Sequence, residues 1–411
     1  MSVSAVRTGL LLRRLISKLV NKPRDVVPAT INRINVARLE ISNRIDDALR
    51  LNRGKRIVHV GIHRNGNCGD TLLFQCVRSL LQSPLSPDDW RLESVWSLFD
   101  EDRSDQVNRD AAGVVVGGGG LFLRDSNPNR NSGWQWNSTV GAIARLEIPL
   151  IVFAVGYNRF PGQEDFAPIF RDHLSAVVDK SVFFGVRNRG SIEALSEYLP
   201  SELHHRLCFQ PCPTTILRQF HPNTPQPSYG AERTLALNIA FDRRQVRFGD
   251  TEATVKREVV EAMRRAVESG WKLHLAIHDK ADEHICEWFS ESGVPFKVAR
   301  LTRASADKVM RFYAGMRFTI GMRGHSLMIP FGLGNPGISL GGHDKLGFFL
   351  REIGHPEWAV PFYEPDLCDR LVSAIRTFES NESEVRSEVL TQQKRLWDIT
   401  ARNVKRLEGA L

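Results

Sequence analysis

Apolar residues along this 411-residue chain follow two alternating patterns. Short runs rich in β-branched residues are followed by segments whose apolar positions recur every three or four residues. The first pattern predicts buried strands and the second predicts amphipathic helices laid over them. "RIVHVGIH" (residues 56–63) reads as a first strand, "RNGNCGD" as a turn and "TLLFQCVRSLLQ" as a helix. "AAGVVVGGGGLFL" gives a short buried strand running into four glycines, "IPLIVFAVGY" another strand, and "SVFFGVRNRGSIEAL" a strand, a polar turn and a helix start. Strands that alternate with helices imply parallel βαβ units with both sheet faces covered.

The rhythm stops between residues 211 and 232, where "PCPTTILRQFHPNTPQPSYGAE" is rich in Pro, Asn and Gln and reads as a linker. It then restarts. "RTLALNIAF", "WKLHLAIH", "VPFKVARL" and "RFTIGM" read as strands, separated by helices such as "EATVKREVVEAMRRAVESG", "KADEHICEWFSESG" and "ASADKVMRFYAGM". Residues 382–411 read as a long charged helix. The expected fold is α/β, with two Rossmann-like domains facing across a cleft. Its divisions are an arm at 1–55, a first domain at 56–212, a linker at 213–232, a second domain at 233–375 and a C-terminal helix at 376–411. A chain of this length exceeds what one core usually supports, in keeping with two domains.

Charge adds one feature. Residues 1–56 hold 13 Lys and Arg against 4 Asp and Glu, a net of +9; the rest of the chain holds 42 and 43, a net of −1. Leu11, Leu12, Leu15, Ile16 and Leu19 recur at helical spacing, with Arg13, Arg14 and Lys18 towards the other side. Such a helix lies on an anionic membrane surface, docks on the body, or is a solvated tail. No apolar run reaches the roughly 20 residues of a bilayer span, and with Arg13, Arg14 and Lys18 inside its apolar patch the start does not read as a signal peptide. The lack of basic excess elsewhere speaks against nucleic acid. Six cysteines without a CxxC pair fit a reducing, cytoplasmic compartment. "HHRLCFQPC" collects soft ligands, but its spacing fits no standard zinc pattern, so no metal is expected.

Ligands of open α/β sheets bind beyond the carboxyl ends of the strands, and each polar cluster falls at such a place. The first strand delivers Asn67, Gly69 and Asp70: a tight turn and two good helix caps, with Asn67 or Asp70 also placed to touch sugar hydroxyls. Gly117, Gly118, Gly119 and Gly120 can bring bare amides against an anion or a sugar, although they are not a spaced dinucleotide motif. Arg187 and Arg189 stand in a strand-to-helix turn, suited to a carboxylate or phosphate or to surface ion pairs. In "TIGMRGHSLMIPFGLGNPGISL", Arg323 and His325 project from a strand end with Ser326 placed to cap the next helix. That makes an anion site with an adjacent proton donor or base. His343, Asp344 and Lys345 follow the next strand, and His278 and Asp279 an earlier one.

The ordered set "NCGDTLL", "VVVGGGGLF", "IPLIVFAVG", "FFGVRNRGS", "FTIGMRGHSLMIPFGLGNPGISL" and "DKLGFFLREIG" resembles the polysaccharide pyruvyl transferase family over residues 56–354. The resemblance implies a GT-B-like fold with the acceptor on the first domain and the donor on the second. It also implies transfer of a pyruvyl group from phosphoenolpyruvate to a sugar of a cell-surface polysaccharide or its lipid-linked precursor, as a ketal, with no cofactor. Carried over, Arg323 and His325 match the family's donor-site arginine and histidine, Arg187 its strand-to-turn arginine, and Asp70 the acid of its glycine-aspartate step. His325 is expected to act as general acid or base, and Arg323 as the donor clamp. Where many relatives carry Asp-Pro, this chain reads "QPCPTT". The rivals are a nucleotide-sugar glycosyltransferase of the same architecture and a non-catalytic sugar-binding protein.

Overall fold

A computed structural model describes residues 36–41, 56–62, 66–124, 130–159, 163–221, 224–227, 232–341 and 344–411. The expected helix of the basic arm lies outside the described residues, as do His343 and the side chain of Asp344.

The first sheet has six parallel strands in the order β2-β1-β3-β4-β5-β6: β1 (Arg56–Gly61), β2 (Asp89–Ser94), β3 (Gly113–Phe122), β4 (Leu150–Tyr157), β5 (Ser181–Val186) and β6 (Leu207–Phe209). The second has five, in the order β11-β10-β7-β8-β9: β7 (Thr234–Asn238), β8 (Lys272–Ile277), β9 (Phe296–Arg300), β10 (Phe318–Gly321) and β11 (Gly337–Ser339). Every registered pair is parallel, so consecutive strands need crossovers, which the intervening helices supply. The inner strands follow from composition: every residue of β4 and of β7 is buried, as a strand covered on both faces must be.

Five helices matter for the site: α1 (Cys68–Leu85), α2 (Arg189–Ser196), α3 (Gly324–Gly332), α4 (Asp344–Glu352) and α5 (Glu382–Lys405). Helix α1 follows β1 in the first domain, yet Cys68, Leu72 and Cys76 pack with Tyr313, Met310 and Ile329 of the second. The two domains therefore share apolar core at the root of the cleft. Gly332 of α3 passes so close to the linker that a Cβ there would stand 1.9 Å from the Thr214 carbonyl oxygen. Helix α5 returns to the first domain, where Asn403 Nδ2 donates to the Phe209 carbonyl (2.8 Å) and Gln210 Nε2 to Thr400 Oγ1 (3.2 Å).

Two boundaries differ from the sequence reading. The break expected at 375/376 falls inside a helix, Leu367–Ser380, whose apolar stripe of Leu367, Leu371, Ile375 and Phe378 runs through it. The four glycines do not follow a strand; they lie within β3, where Gly118 and Gly119 take φ of +73° and +104° and the pairing with β4 shifts register.

Candidate functional site

The carboxyl ends of β1, β3 and β4 face those of β7, β8 and β10, and a cavity of about 240 Å³ lies between them. Its wall includes Asn67, Asp70, Trp96, Gln135 and Asn158 from the first domain, and Asp242, Asp279, Arg323, His325 and Lys345 from the second. A larger groove of about 600 Å³ on the outside of the second domain is lined by charges already paired with one another, such as Lys256 with Glu291 and Arg265 with Asp369. It lies away from the strand ends, and the cleft cavity is the candidate site.

His325 sits in the first turn of α3, 4% exposed, and its ring rests on the N-terminus of α1. A Cβ on Gly69 would stand 2.4 Å from the His325 Cβ and 2.5 Å from its Nδ1. Gly69 is therefore not a turn glycine, as its sequence context indicated, but a helical one whose missing side chain admits the histidine. Nδ1 faces Asp70 Oδ1 at 3.8 Å, and Nε2 faces the Cys212 thiol at 4.0 Å. Cys212 belongs to "QPCPTT", the segment where many relatives carry Asp-Pro, and it sets a thiol against the imidazole on that side. Burial, then Lys345 and Arg187, push His325 well below its ordinary range. The imidazole is neutral at pH 7 and able to accept a proton.

Arg187 follows β5 and is 3% exposed. Its Nε, Nη1 and Nη2 are all buried without a hydrogen-bond partner among the described residues. The guanidinium lies across Gly156, where a Cβ would meet Nη2 at 2.2 Å, and its Nη2 is 3.7 Å from the Cβ position of Gly120. Burial works against its charge, and Cys212 and Asp70 compensate only in part. A guanidinium does not shed its proton in a protein, and leaving a charge buried without a counter-ion costs several kcal/mol. Such a group suits an anion that arrives from outside; Arg187 itself is not on the cavity wall but lines a small pocket of about 10 Å³ with Cys212 and Phe349, and comes up to the cavity behind Gly120. Lys345, in the first turn of α4, lies along Gly324, whose Cβ position is 2.6 Å from the lysine Cε. Enclosure by protein, then the neighbouring Arg187, push its ammonium down to about 7.

Arg323 is differently placed from the expectation. It is the N-cap residue of α3 and lines the cavity, but its guanidinium is already held, by Asp282 through Nε (2.8 Å) and Nη2 (2.6 Å) and by Asp242 through Nη2 (2.8 Å). Asp282 is fully buried and also accepts from the amides of His278 and Asp279. Burial opposes the charge of Arg323, but Asp282 and Asp242 outweigh it and hold the group charged above its usual range. An arginine forked onto two carboxylates has little left for a ligand's bidentate grip. It organises the wall, whereas the guanidinium of Arg187 has no hydrogen-bond partner among the described residues.

Other expected residues scatter. His278 is fully buried, bonded through Nε2 to the Tyr313 hydroxyl at 2.5 Å and pushed down to about 3 by burial; it does not line the cavity. Ser326 is also fully buried and donates to the Arg323 carbonyl at 2.7 Å, so it neither caps α3 nor reaches a ligand. Gly118 packs on Leu73 and Gly119 stays off the cavity wall, leaving only Gly120 of the glycine run on it. Arg189 pairs with Glu352 across the domains. Asn67 caps α1, accepting from the Gly69 amide at 2.9 Å, and also lines the cavity. Residues missed from the sequence include Asp242, Asp282 and Gly156, because no local signal marks a carboxylate as an arginine's partner when 41 residues separate them.

Two parallel-sheet Rossmann domains with a polar cleft between their carboxyl edges define a GT-B-type protein. One structure of this kind is a putative UDP-N-acetylglucosamine 2-epimerase from Listeria monocytogenes, with a TM-score of 0.50 at 10% identity, covering 82% of this chain and 90% of that one. A UDP-GlcNAc 2-epimerase from Neisseria meningitidis is also similar, with a TM-score of 0.47 at 8% identity, covering 85% of this chain and all of that one. At such identities the likeness concerns the fold alone. No protein of curated function matches the sequence. The model of the polysaccharide pyruvyl transferase family matches residues 67–344, and the chain belongs to that family.

Proposed function

We propose that this transferase takes its pyruvyl group from phosphoenolpyruvate and closes it as a ketal on two hydroxyls of one sugar residue. The observation that carries the donor assignment is Arg187, a buried guanidinium without a partner among the described residues, with Lys345 beside it. Phosphoenolpyruvate brings a carboxylate and a phosphate, the two groups a guanidinium fork and an ammonium hold best. In the first step a sugar hydroxyl gives up its proton as its oxygen bonds to the donor's central carbon, and the carbon–carbon double bond is spent on a proton taken up by the methylene carbon, which becomes methyl. In the second, the bond to the phosphate oxygen breaks, the second hydroxyl adds to the same carbon, and its proton is lost. His325, neutral beside Asp70, is the group to take a hydroxyl proton.

The reaction is tested by incubating the protein with phosphoenolpyruvate and a panel of synthetic and lipid-linked glycosides, reading phosphate release together with a ketal adduct by mass spectrometry. Release of nucleotide from nucleotide sugars, with no phosphate from phosphoenolpyruvate, would instead identify a glycosyltransferase.

Lys345 gives this reading a pH signature. The ammonium is charged below its pKa of about 7, and only the charged form attracts the donor. The kcat/KM for phosphoenolpyruvate is therefore expected to fall about tenfold per pH unit above 7 in the free enzyme. Lys345→Arg, permanently charged, should remove that limb; a limb unchanged in the variant would assign it to another group.

A further inference from the structure

The cavity has two unlike walls. On the second domain it is charged, with Asp242, Arg243, Arg247, Asp279, Arg323 and Lys345. On the first domain Asp70 is the only charged residue among the described ones, and the wall is made instead of an indole and carboxamides: Trp96, Gln135 and Asn158 beside Asn67. An anion is matched by the charged wall together with Arg187, which comes up behind Gly120, and a neutral polyol by the rest of the first-domain wall. Indole faces cover the C–H face of a sugar ring, and carboxamides both donate to and accept from hydroxyls.

The residues are held for this. Trp134 and Trp136 are fully buried anchors, Trp134 donating through Nε1 to His173 (2.9 Å) and Trp136 packing edge-on to Phe99 at 5.4 Å. Gln135 between them is left on the cavity wall, its amide bonded to the Leu121 carbonyl at 3.1 Å. Trp96 follows the end of β2. Its loop is tied to the same segment, the Asn137 amide donating to the Val95 carbonyl (2.9 Å) and Asn137 Nδ2 to the Trp96 carbonyl (3.4 Å). Asn158 follows β4, its amide on the Phe122 carbonyl at 2.9 Å. Two polar atoms here, Trp96 Nε1 and Asn158 Oδ1, are buried without a hydrogen-bond partner among the described residues. Buried polar groups in folded proteins are nearly always paired, so one free donor and one free acceptor on one wall call for a ligand that offers both. Hydroxyls do.

We infer that Trp96, Gln135 and Asn158 form the acceptor subsite and take a neutral hexopyranosyl residue, its ring on the indole and its hydroxyls on the two carboxamides. The inference rests on the pyruvyl-transfer reading for its choice of acceptor. The geometry also joins the subsite to the donor: above Gly120, Asn158 Nδ2 and Arg187 Nη2 stand 3.4 and 3.7 Å from one point, the glycine's Cβ position. A hydroxyl held by Asn158 is thus presented to an anion held by Arg187.

The test separates acceptor from donor. Binding of uncharged methyl hexopyranosides to the full chain is measured by saturation-transfer NMR without donor, and the KM for acceptor and for phosphoenolpyruvate is measured in turnover. Trp96→Ala and Asn158→Ala are expected to raise the acceptor KM at least tenfold and abolish the NMR signal, with the phosphoenolpyruvate KM changing less than threefold. Trp96→Phe keeps a smaller aromatic face and loses Nε1 with the second ring, and an intermediate acceptor KM is expected. Unchanged acceptor KM and NMR signal in both alanine variants, or no hexopyranoside signal with the wild-type protein, would overturn the subsite. If phosphoenolpyruvate yields no phosphate with any acceptor, the donor reading fails by itself, and the glycoside signal still decides the subsite.

Discussion

His325→Ala is expected to lower turnover by about 10²–10⁴-fold, the usual contribution of a general acid or base, while the KM for phosphoenolpyruvate changes only a few-fold. The split follows from the imidazole's state. Burial, Lys345 and Arg187 keep it neutral, so it adds little to the grip on an anion, and what its removal takes away is a proton acceptor. Its position is set by neighbours that survive the substitution: Gly69 gives it room, Asp70 faces Nδ1 and Cys212 faces Nε2. His325→Gln, with similar reach and hydrogen bonding but no titrating nitrogen, should be about as inactive as the alanine variant. Stopped-flow phosphate release with thermal melts of both variants makes the measurement. Near-normal turnover in folded His325→Gln would assign the proton transfer to Asp70 or to Lys345.

Arg187→Met is expected to show opposite effects on function and stability. Truncating a buried, hydrogen-bonding charge at a binding site costs about 2–5 kcal/mol, which is roughly a 30-fold to several-thousand-fold rise in the donor KM at 1.4 kcal/mol per decade. The ligand-free protein, however, carries that guanidinium with three buried nitrogens unpartnered among the described residues. Exchanging it for an apolar side chain of similar length should stabilise the ligand-free protein by at least about 1 kcal/mol. Phosphoenolpyruvate at 100 times its Kd should stabilise the wild type by about 2.7 kcal/mol and the variant hardly at all. Denaturant melts with and without donor check all three. A variant less stable than wild type in the absence of donor would mean that Arg187 is structural.

Much of the architecture is carried by local pattern. The two runs of βα rhythm, the break near residue 211, the long charged segment that is α5, and the placement of polar clusters at strand ends all follow from periodicity and turn chemistry. His325, Asp70, Arg187 and Lys345 could be named as candidates because packing alone rarely places a charged residue at the end of a buried strand. β2 and β6 escaped notice: "DWRLES" is polar and only its last two residues are buried, so pairing with β1, not composition, makes it a strand.

The roles within the candidate set were not legible. Arg323 and Arg187 look alike in sequence, each an arginine after an apolar strand. The fold brings Asp242 and Asp282 onto Arg323, whereas among the described residues it brings two glycines and no paired carboxylate against Arg187. One therefore builds the wall and the other waits for a ligand. Likewise His278 and His325 both follow strands of the second sheet, but one is sealed against Tyr313 of its own domain while the packing of α1 brings Asp70 onto the other. Periodicity reports burial and strand ends because those depend on residues a few positions apart. Whether a buried charge is paired depends on groups brought from distant parts of the chain, within the second domain for Arg323 and across the cleft for His325, and only the tertiary structure decides that.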